Sequence, residues 1–331
     1  MHICVVGAGA MGGSFAALLT RAGHDVSIID TWDAHIEAVQ SNGLTMQGAL
    51  GDYTATLDAV THTERANFAD WAIVFTDSNS TSVAADTVDQ VLKPDGSVIT
   101  MQNGIGNVEK LVARLGAKRV VGGSSMCSAA SAGPGQVLFT HLATTTIGEL
   151  DGSRTERIEA LAVLLESTGL VIQVGDQIMA KIWNKFVLNC GVNALCAVTG
   201  LRSGEMTRVP EIYALQTQVI REALEVVAAK GITLPDSAPW TTIKHSSFHK
   251  FNQPSMLQHV LAGKRTEIDA INGALVREAK VLGIATPYNE ALVALLKGRE
   301  HQRITEVLGE VIDYDAWEAR ICEDPLPGAY D

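Results

Sequence analysis

Ile3-Cys4-Val5-Val6-Gly7-Ala8-Gly9-Ala10-Met11-Gly12-Gly13 decides the fold of the first half of this chain. The run Ile3–Val6 is apolar and rich in β-branched residues, as a buried strand requires. It leads straight into Gly7-x-Gly9-x-x-Gly12, within which helix-forming residues begin at Ala10. In that strand–turn–helix setting each glycine has a task. Gly7 permits the tight turn, Gly9 lets a pyrophosphate approach the backbone, and Gly12 lets helix and strand pack closely. Ala10 and Met11 open the helix, whose free N–H groups and positive dipole end suit phosphate. The next strand, Val26–Ile29, ends in Asp30, about 20 residues past the loop, where a carboxylate can accept both ribose hydroxyls of a dinucleotide. It would repel a 2′-phosphate, and Thr31, Trp32 and Asp33 follow with no Arg or Lys among them. The reading is therefore NAD(H) in preference to NADP(H), with NADP(H) left open. Asp30 could alternatively cap a helix beginning near Ala34.

Working outward, β-like runs and helical stretches alternate to about Val174, which implies an α/β Rossmann-type, doubly wound parallel sheet. Short β-like runs at Val137–Phe139, Thr144–Ile147 and Val171–Val174 are expected to close it. After Gly175 long helical patterns take over, among them Gln177–Val198, Pro210–Lys230 and Glu267–Leu282. The expected organisation is a dinucleotide-binding domain over 1–174 and an all-α helical substrate and dimerisation domain over 175–331. A chain of 331 residues suits two cores better than one.

The net charge of −12 argues against a nucleic-acid or anionic-membrane partner, which would need a basic face. No apolar run reaches the ~18 residues of a membrane span, and the N-terminus breaks into glycines too early for a signal peptide. A cytoplasmic location is expected, and the apolar helical half makes a homodimer plausible. Cys4, Cys127, Cys190, Cys196 and Cys322 show no zinc-ligand spacing, and Cys4, Cys190 and Cys196 lie in apolar runs. The nine histidines form no metal pattern; His245 and His249 read as surface or loop residues. No metal is expected.

Two further segments carry chemistry. Gln102-Asn103-Gly104-Ile105-Gly106-Asn107 follows the strand Ser97–Met101, at the sheet edge where ligands gather in open α/β folds. Asn103 there can touch both cofactor and substrate, or can simply serve a turn. The second is KIWNKFVLNCGVNAL (181–195), apolar nearly all round and hence a buried helix. Lys185, Asn189 and Asn193 recur every four residues, so they form a slowly drifting stripe on one face. Buried ammonium and amide groups need partners, which a carboxylate substrate with a reducible carbonyl would supply. Burial would also lower the lysine pKa toward the range of proton transfer. Glu267 could pair with Lys185, accept a substrate hydroxyl, or be only a favourable first-turn acid. Ser255, before Met256-Leu257-Gln258, could donate to a carboxylate or serve as a helix cap.

VVGAGAMGG (5–13), QNGIGN (102–107), KIWNKFVLNCGVNAL, SMLQ (255–258) and RTEIDAINGALVREAKVLGIATP (265–287) together resemble the ketopantoate reductase (2-dehydropantoate 2-reductase) family. The resemblance implies a Rossmann domain, a helical domain of the 6-phosphogluconate-dehydrogenase type, and a cleft between them. It implies hydride transfer to the ketone of a 2-oxo acid, giving an (R)-2-hydroxy acid. Lys185 would then be the general acid and Glu267 would orient lysine and hydroxyl. Asn189, Asn193 and Ser255 would hold the carboxylate and its polar neighbours, and Asn103 would bridge cofactor and substrate. The family's usual lysine after the strand at Trp71–Phe75 is replaced by Thr76-Asp77, and its usual aspartate after SMLQ by His259. The alternatives are a dehydrogenase of another bulky 2-hydroxy acid, or a protein that senses NAD(H) without turnover.

Overall fold

The computed structural model describes residues 1–308; the tail after Trp317, with Cys322, lies outside them. Its strands are β1 His2–Val6, β2 Asp25–Ile29, β3 Leu44–Gly48, β4 Tyr53–Ala55, β5 Asp58–Val60, β6 Ala69–Val74, β7 Leu92–Thr100, β8 Val120–Ser125, β9 Ser128–Gly133, β10 Gln136–His141, β11 Thr144–Glu149 and β12 Val171–Val174. Interleaved helices are α1 Ala10–Arg21, α2 Asp33–Asn42, α3 Thr81–Val91, α4 Asn107–Leu115 and α5 Glu156–Glu166. Then follow α6 Ile178–Thr199, α7 Ser203–Met206, α8 Pro210–Ala229, α9 Pro239–His249, α10 Ser255–Leu261, α11 Asn272–Leu282 and α12 Pro287–Leu308.

The main sheet has eight strands in the order β12-β11-β8-β7-β6-β1-β2-β5. Every adjacent pair is parallel except β8 with β11. The chain winds outward from β1 in both directions. Side chains of β1 therefore alternate between two cores. Ile3 and Val5 pack with α1 and α5, whereas Cys4 and Val6 pack with α3 and α4. This is the alternation of a strand covered by helices on both faces.

A second sheet, β4-β3-β10-β9, departs from expectation. Val137–Phe139 does not close the main sheet; it lies in β10, which pairs in parallel with β3. The added sheet packs against α1, so α1 is buried on both sides, from Gly12 through Leu19 without interruption. That explains a helix apolar nearly all round.

The third core surrounds α6, with Phe186, Val187, Cys190 and Leu195 packed against α8, α9, α10, α11 and α12. His245 and His249 lie at the surface, as expected, on α9 with rings 4.1 Å apart. One expectation here needs correction. The helix expected from Glu267 to Leu282 is broken: a 3-10 turn covers Ile268–Ala270, Ile271 leaves helical geometry, and α11 starts at Asn272. The break lets the Ala270 carbonyl face the loop after β7, where it accepts from the Ile105 N–H at 3.2 Å. Cys4, Cys190 and Cys196 are buried, and burial pushes their thiol pKa values up. Among the described residues no helix is long and apolar enough to cross a membrane, and no group of three His, Cys, Asp or Glu could hold a metal ion.

Candidate active site

The glycine loop sits at the carboxyl ends of β1 and β6, where the direction of winding reverses. Gly7 has φ of +90°, and a Cβ there would collide with the Thr76 backbone N. A Cβ on Gly12 would overlap the Gly7 carbonyl oxygen, whereas one on Gly9 would meet no heavy atom within 4 Å. The first and third glycines are thus fixed by packing, and the second faces open space. Gly9 is the N-cap of α1, with no side-chain cap and no acid in the first turn. Its N-terminal N–H groups and dipole are unneutralised, which fits a dinucleotide's phosphates.

A paired substitution separates these tasks. Gly12→Ala should destabilise the fold by about 1–3 kcal/mol through overpacking. Gly9→Ala should stay within about 1 kcal/mol of the parent yet bind NADH at least roughly tenfold more weakly. Thermal unfolding and NADH titration read the two effects; equal outcomes for the two variants would refute the assignment.

Asp30 stands at the end of β2. Its Oδ2 accepts from the Ala8 N–H at 2.6 Å and its Oδ1 from the Trp32 N–H at 2.9 Å. It does not cap α2, which has no side-chain cap. The carboxylate is therefore built into the wall of the glycine loop.

Across the same sheet edge a second cluster assembles. Lys185 projects from α6 and donates to the Ser125 carbonyl at the end of β8, at 2.6 Å. Burial pulls its pKa down to about 8, against the opposing pull of Glu267 and Cys127. Glu267 is 6% exposed and sits just before the 3-10 turn. Its Oε1 accepts from the Ser78 N–H and hydroxyl, each at 3.0 Å, and its Oε2 from the Asn103 amide at 3.3 Å. No ion pair within 4.0 Å joins Lys185 to Glu267 among the described residues, so their coupling acts through space. The carboxylate is held by the loops after β6 and β7 and is more than a first-turn acid.

Asn103 is held in turn: its carbonyl competes with Glu267 for the single Ser78 hydroxyl proton, at 2.6 Å, and accepts from the Asn107 amide at 2.8 Å. Gly104 and Gly106 both have positive φ, so the loop is a turn as well as a site wall. A Cβ on Gly104 would collide with the Ala270 carbonyl, which shows how closely the helical part approaches.

Asn189 and Asn193 lie further along the Lys185 face, 8% and 5% exposed. Neither amide makes a hydrogen bond to another described residue, although buried amides ordinarily do. Ser255 is the first residue of α10, but Pro254 occupies the N-cap and the serine hydroxyl caps nothing. One turn along α10, His259 has a buried Nδ1 without a partner among the described residues. Asp77, where the resembled family has lysine, is exposed and turned into its own loop, accepting from the Asn79 N–H at 2.9 Å and the Ser80 hydroxyl at 3.0 Å.

Ser78, Asn107 and the Ser125 carbonyl are site members that sequence reading missed. Ser78 and Glu267 are 189 positions apart, so no local pattern signals their contact.

The family model "Ketopantoate reductase PanE/ApbA" matches residues 3–152, and "Ketopantoate reductase PanE/ApbA C terminal" matches 177–300. The 2-dehydropantoate 2-reductase of Pyrococcus horikoshii is 32% identical over 300 residues, covering 91% of this chain and 98% of that protein. A PanE/ApbA family ketopantoate reductase from Ralstonia eutropha superposes with TM-score 0.85 at 29% identity, over 92% of this chain and 99% of that one. D-mandelate dehydrogenase, solved with NADH and anilino(oxo)acetate, superposes with TM-score 0.85 at 28% identity and the same coverage. The chain belongs to the ketopantoate reductase family of NAD(P)-dependent oxidoreductases.

Proposed function

We propose that this protein reduces the ketone of a bulky 2-oxo acid to the (R)-2-hydroxy acid. The observation that carries the reading is the stripe of Lys185, Asn189 and Asn193, with both asparagines largely buried and their amides without a hydrogen-bond partner among the described residues. Such groups suit a ligand that brings its own oxygens. The bound dinucleotide supplies the hydride. Lys185 hydrogen-bonds the ketone oxygen and releases its proton to it as negative charge develops there. One hydride reaches the carbonyl carbon and one proton the oxygen, which balances the reduction. Glu267 favours the charged lysine and accepts from the hydroxyl of the product. Asn189, Asn193 and Ser255 hold the carboxylate, and Asn103 orients the ketone against the cofactor.

NADH is the preferred cofactor on this reading. Asp30 places a negative charge beside the loop, and D-mandelate dehydrogenase was solved with NADH. Asp30→Asn keeps an acceptor for the Ala8 N–H and removes the charge. It should shift the ratio of kcat/KM for NADPH over NADH upward by at least roughly tenfold. An unchanged ratio would contradict the role given to Asp30.

Ketopantoate is the first substrate to try, as the substrate named by the curated relatives. An aryl 2-oxo acid is the second. The exposed Asp77 leaves no lysine at that position, and the mandelate enzyme shares the fold at TM-score 0.85. Comparing kcat/KM for ketopantoate and phenylglyoxylate decides between them; turnover of neither would overturn both.

A further inference from the structure

The segment 264–270 of the helical part crosses the carboxyl edge of the main sheet as a strap. At its start the Lys264 Nζ lies 5.1 Å over the Trp32 ring, just past β2. Two residues on, the Thr266 carbonyl accepts from the Asn79 amide, past β6, at 3.0 Å. Glu267 meets Ser78 there, and Ala270 meets Ile105 past β7. These strands are ordered β2-β1-β6-β7. Between the Lys264 and Thr266 contacts lies the end of β1, which is the glycine loop.

The Lys264 end is tied closely to that loop. Trp32 stacks on His35 at 5.2 Å, and its own N–H donates to Asp30. His35 is buried, which lowers its pKa against the opposing pull of the Asp30 charge, and it accepts from the Gly135 N–H at 3.0 Å. The tryptophan is therefore fixed against a buried base beside the phosphate-binding turn. Lys264 is exposed and has no carboxylate within ion-pair distance among the described residues. By contrast, its neighbour Arg265 is engaged by Asp269 at 3.3 Å. The strap is anchored from behind, because the Thr266 N–H donates to the buried Glu300 and the Lys264 N–H to the His259 carbonyl.

We infer that Lys264 is a cofactor-binding residue supplied by the helical part, a cation that engages the phosphate oxygens of the bound dinucleotide from across the cleft. It is the complement of the α1 N-terminus, which meets those phosphates from the sheet side. Asp30 gives the loop a negative wall, so a cation is needed on the opposite side if two or three phosphate charges are to settle there. The same strap carries Glu267, so adenosine-side and nicotinamide-side contacts close together.

The inference rests on the dinucleotide reading given above, and direct binding measurements keep the two apart. NADH and NADPH are titrated by nicotinamide fluorescence against the parent, Lys264→Met and Lys264→Arg, at low and high salt. Lys264→Met keeps the aliphatic stem over Trp32 and removes the charge. It should weaken dinucleotide binding roughly tenfold and flatten its salt dependence, with Lys264→Arg near the parent. The KM for dinucleotide should rise by the same factor, while kcat at saturating dinucleotide changes by less than about threefold. Equal weakening of NADH and NADPH assigns the contact to the diphosphate, and weakening of NADPH alone assigns it to the 2′-phosphate. Unchanged affinities and salt slopes for both would overturn the inference. A parent protein that binds neither dinucleotide would instead overturn the cofactor reading itself.

Discussion

Replacing Lys185 with methionine should lower kcat for 2-oxo acid reduction by roughly 10²–10⁴-fold, the usual contribution of a positioned general acid. Methionine is close in length and apolar, so it suits the packed wall around α6. The affinity for NADH should stay within about twofold, because Lys185 reaches the Ser125 carbonyl and not the glycine loop. The parent's pH profile carries a second signature. With the pKa near 8, the lysine is charged below that pH and loses its proton above it. Reduction needs the ammonium, so kcat should fall as pH rises through about 8. Oxidation of the hydroxy acid needs the free amine and should rise through the same pH. Lys185→Met should abolish both limbs. Near-normal kcat in that variant would remove Lys185 from the chemistry.

Glu267→Gln is expected to act more subtly and to reveal the coupling. Glutamine can still accept the two Ser78 donors through its oxygen. Its NH2 group then faces the Asn103 amide nitrogen, donor against donor, and Asn103 must turn over to present its oxygen. On the proposed mechanism this misaligns the amide that orients the ketone, and kcat should fall by roughly 10²-fold. Glu267 also favours the charged form of Lys185. Its neutralisation removes that support, so the alkaline limb of the kcat profile should move to lower pH. A limb that stayed in place, or moved to higher pH, would contradict the through-space coupling. Circular dichroism and an unfolding curve distinguish this from loss of the fold.

The sequence made some of this site legible and hid the rest for physical reasons. The glycine turn, α1 and Asp30 are local, packed into thirty residues by steric and dipole requirements that only certain side chains meet. The Lys185–Asn189–Asn193 stripe is also local, since one helical period exposes it. Ser78 is different: it is an ordinary serine in a turn until Glu267 arrives from the far half of the chain. Lys264 likewise belongs to no motif near Asp30, and reading the residues just after Asp30 misses it. Sheet β4-β3-β10-β9 escaped because β4 is only three residues long and Ser128–Gly133 is composed of small residues, none of them buried. Its central pairing joins β3 to β10 across most of the Rossmann part. The helix expected through Glu267 was broken by tertiary demand: the Ala270 carbonyl is used by the Ile105 N–H, which overrides local helix propensity.

The central claim is that this fold turns over a 2-oxo acid and does more than bind a dinucleotide. It is tested most directly by following NADH oxidation on adding ketopantoate or phenylglyoxylate and resolving the product on a chiral column. The account predicts oxidation stoichiometric with 2-hydroxy acid, and a product of (R) configuration. Measurable NADH binding with no oxidation on any 2-oxo acid would contradict it and leave a nucleotide-sensing protein in its place.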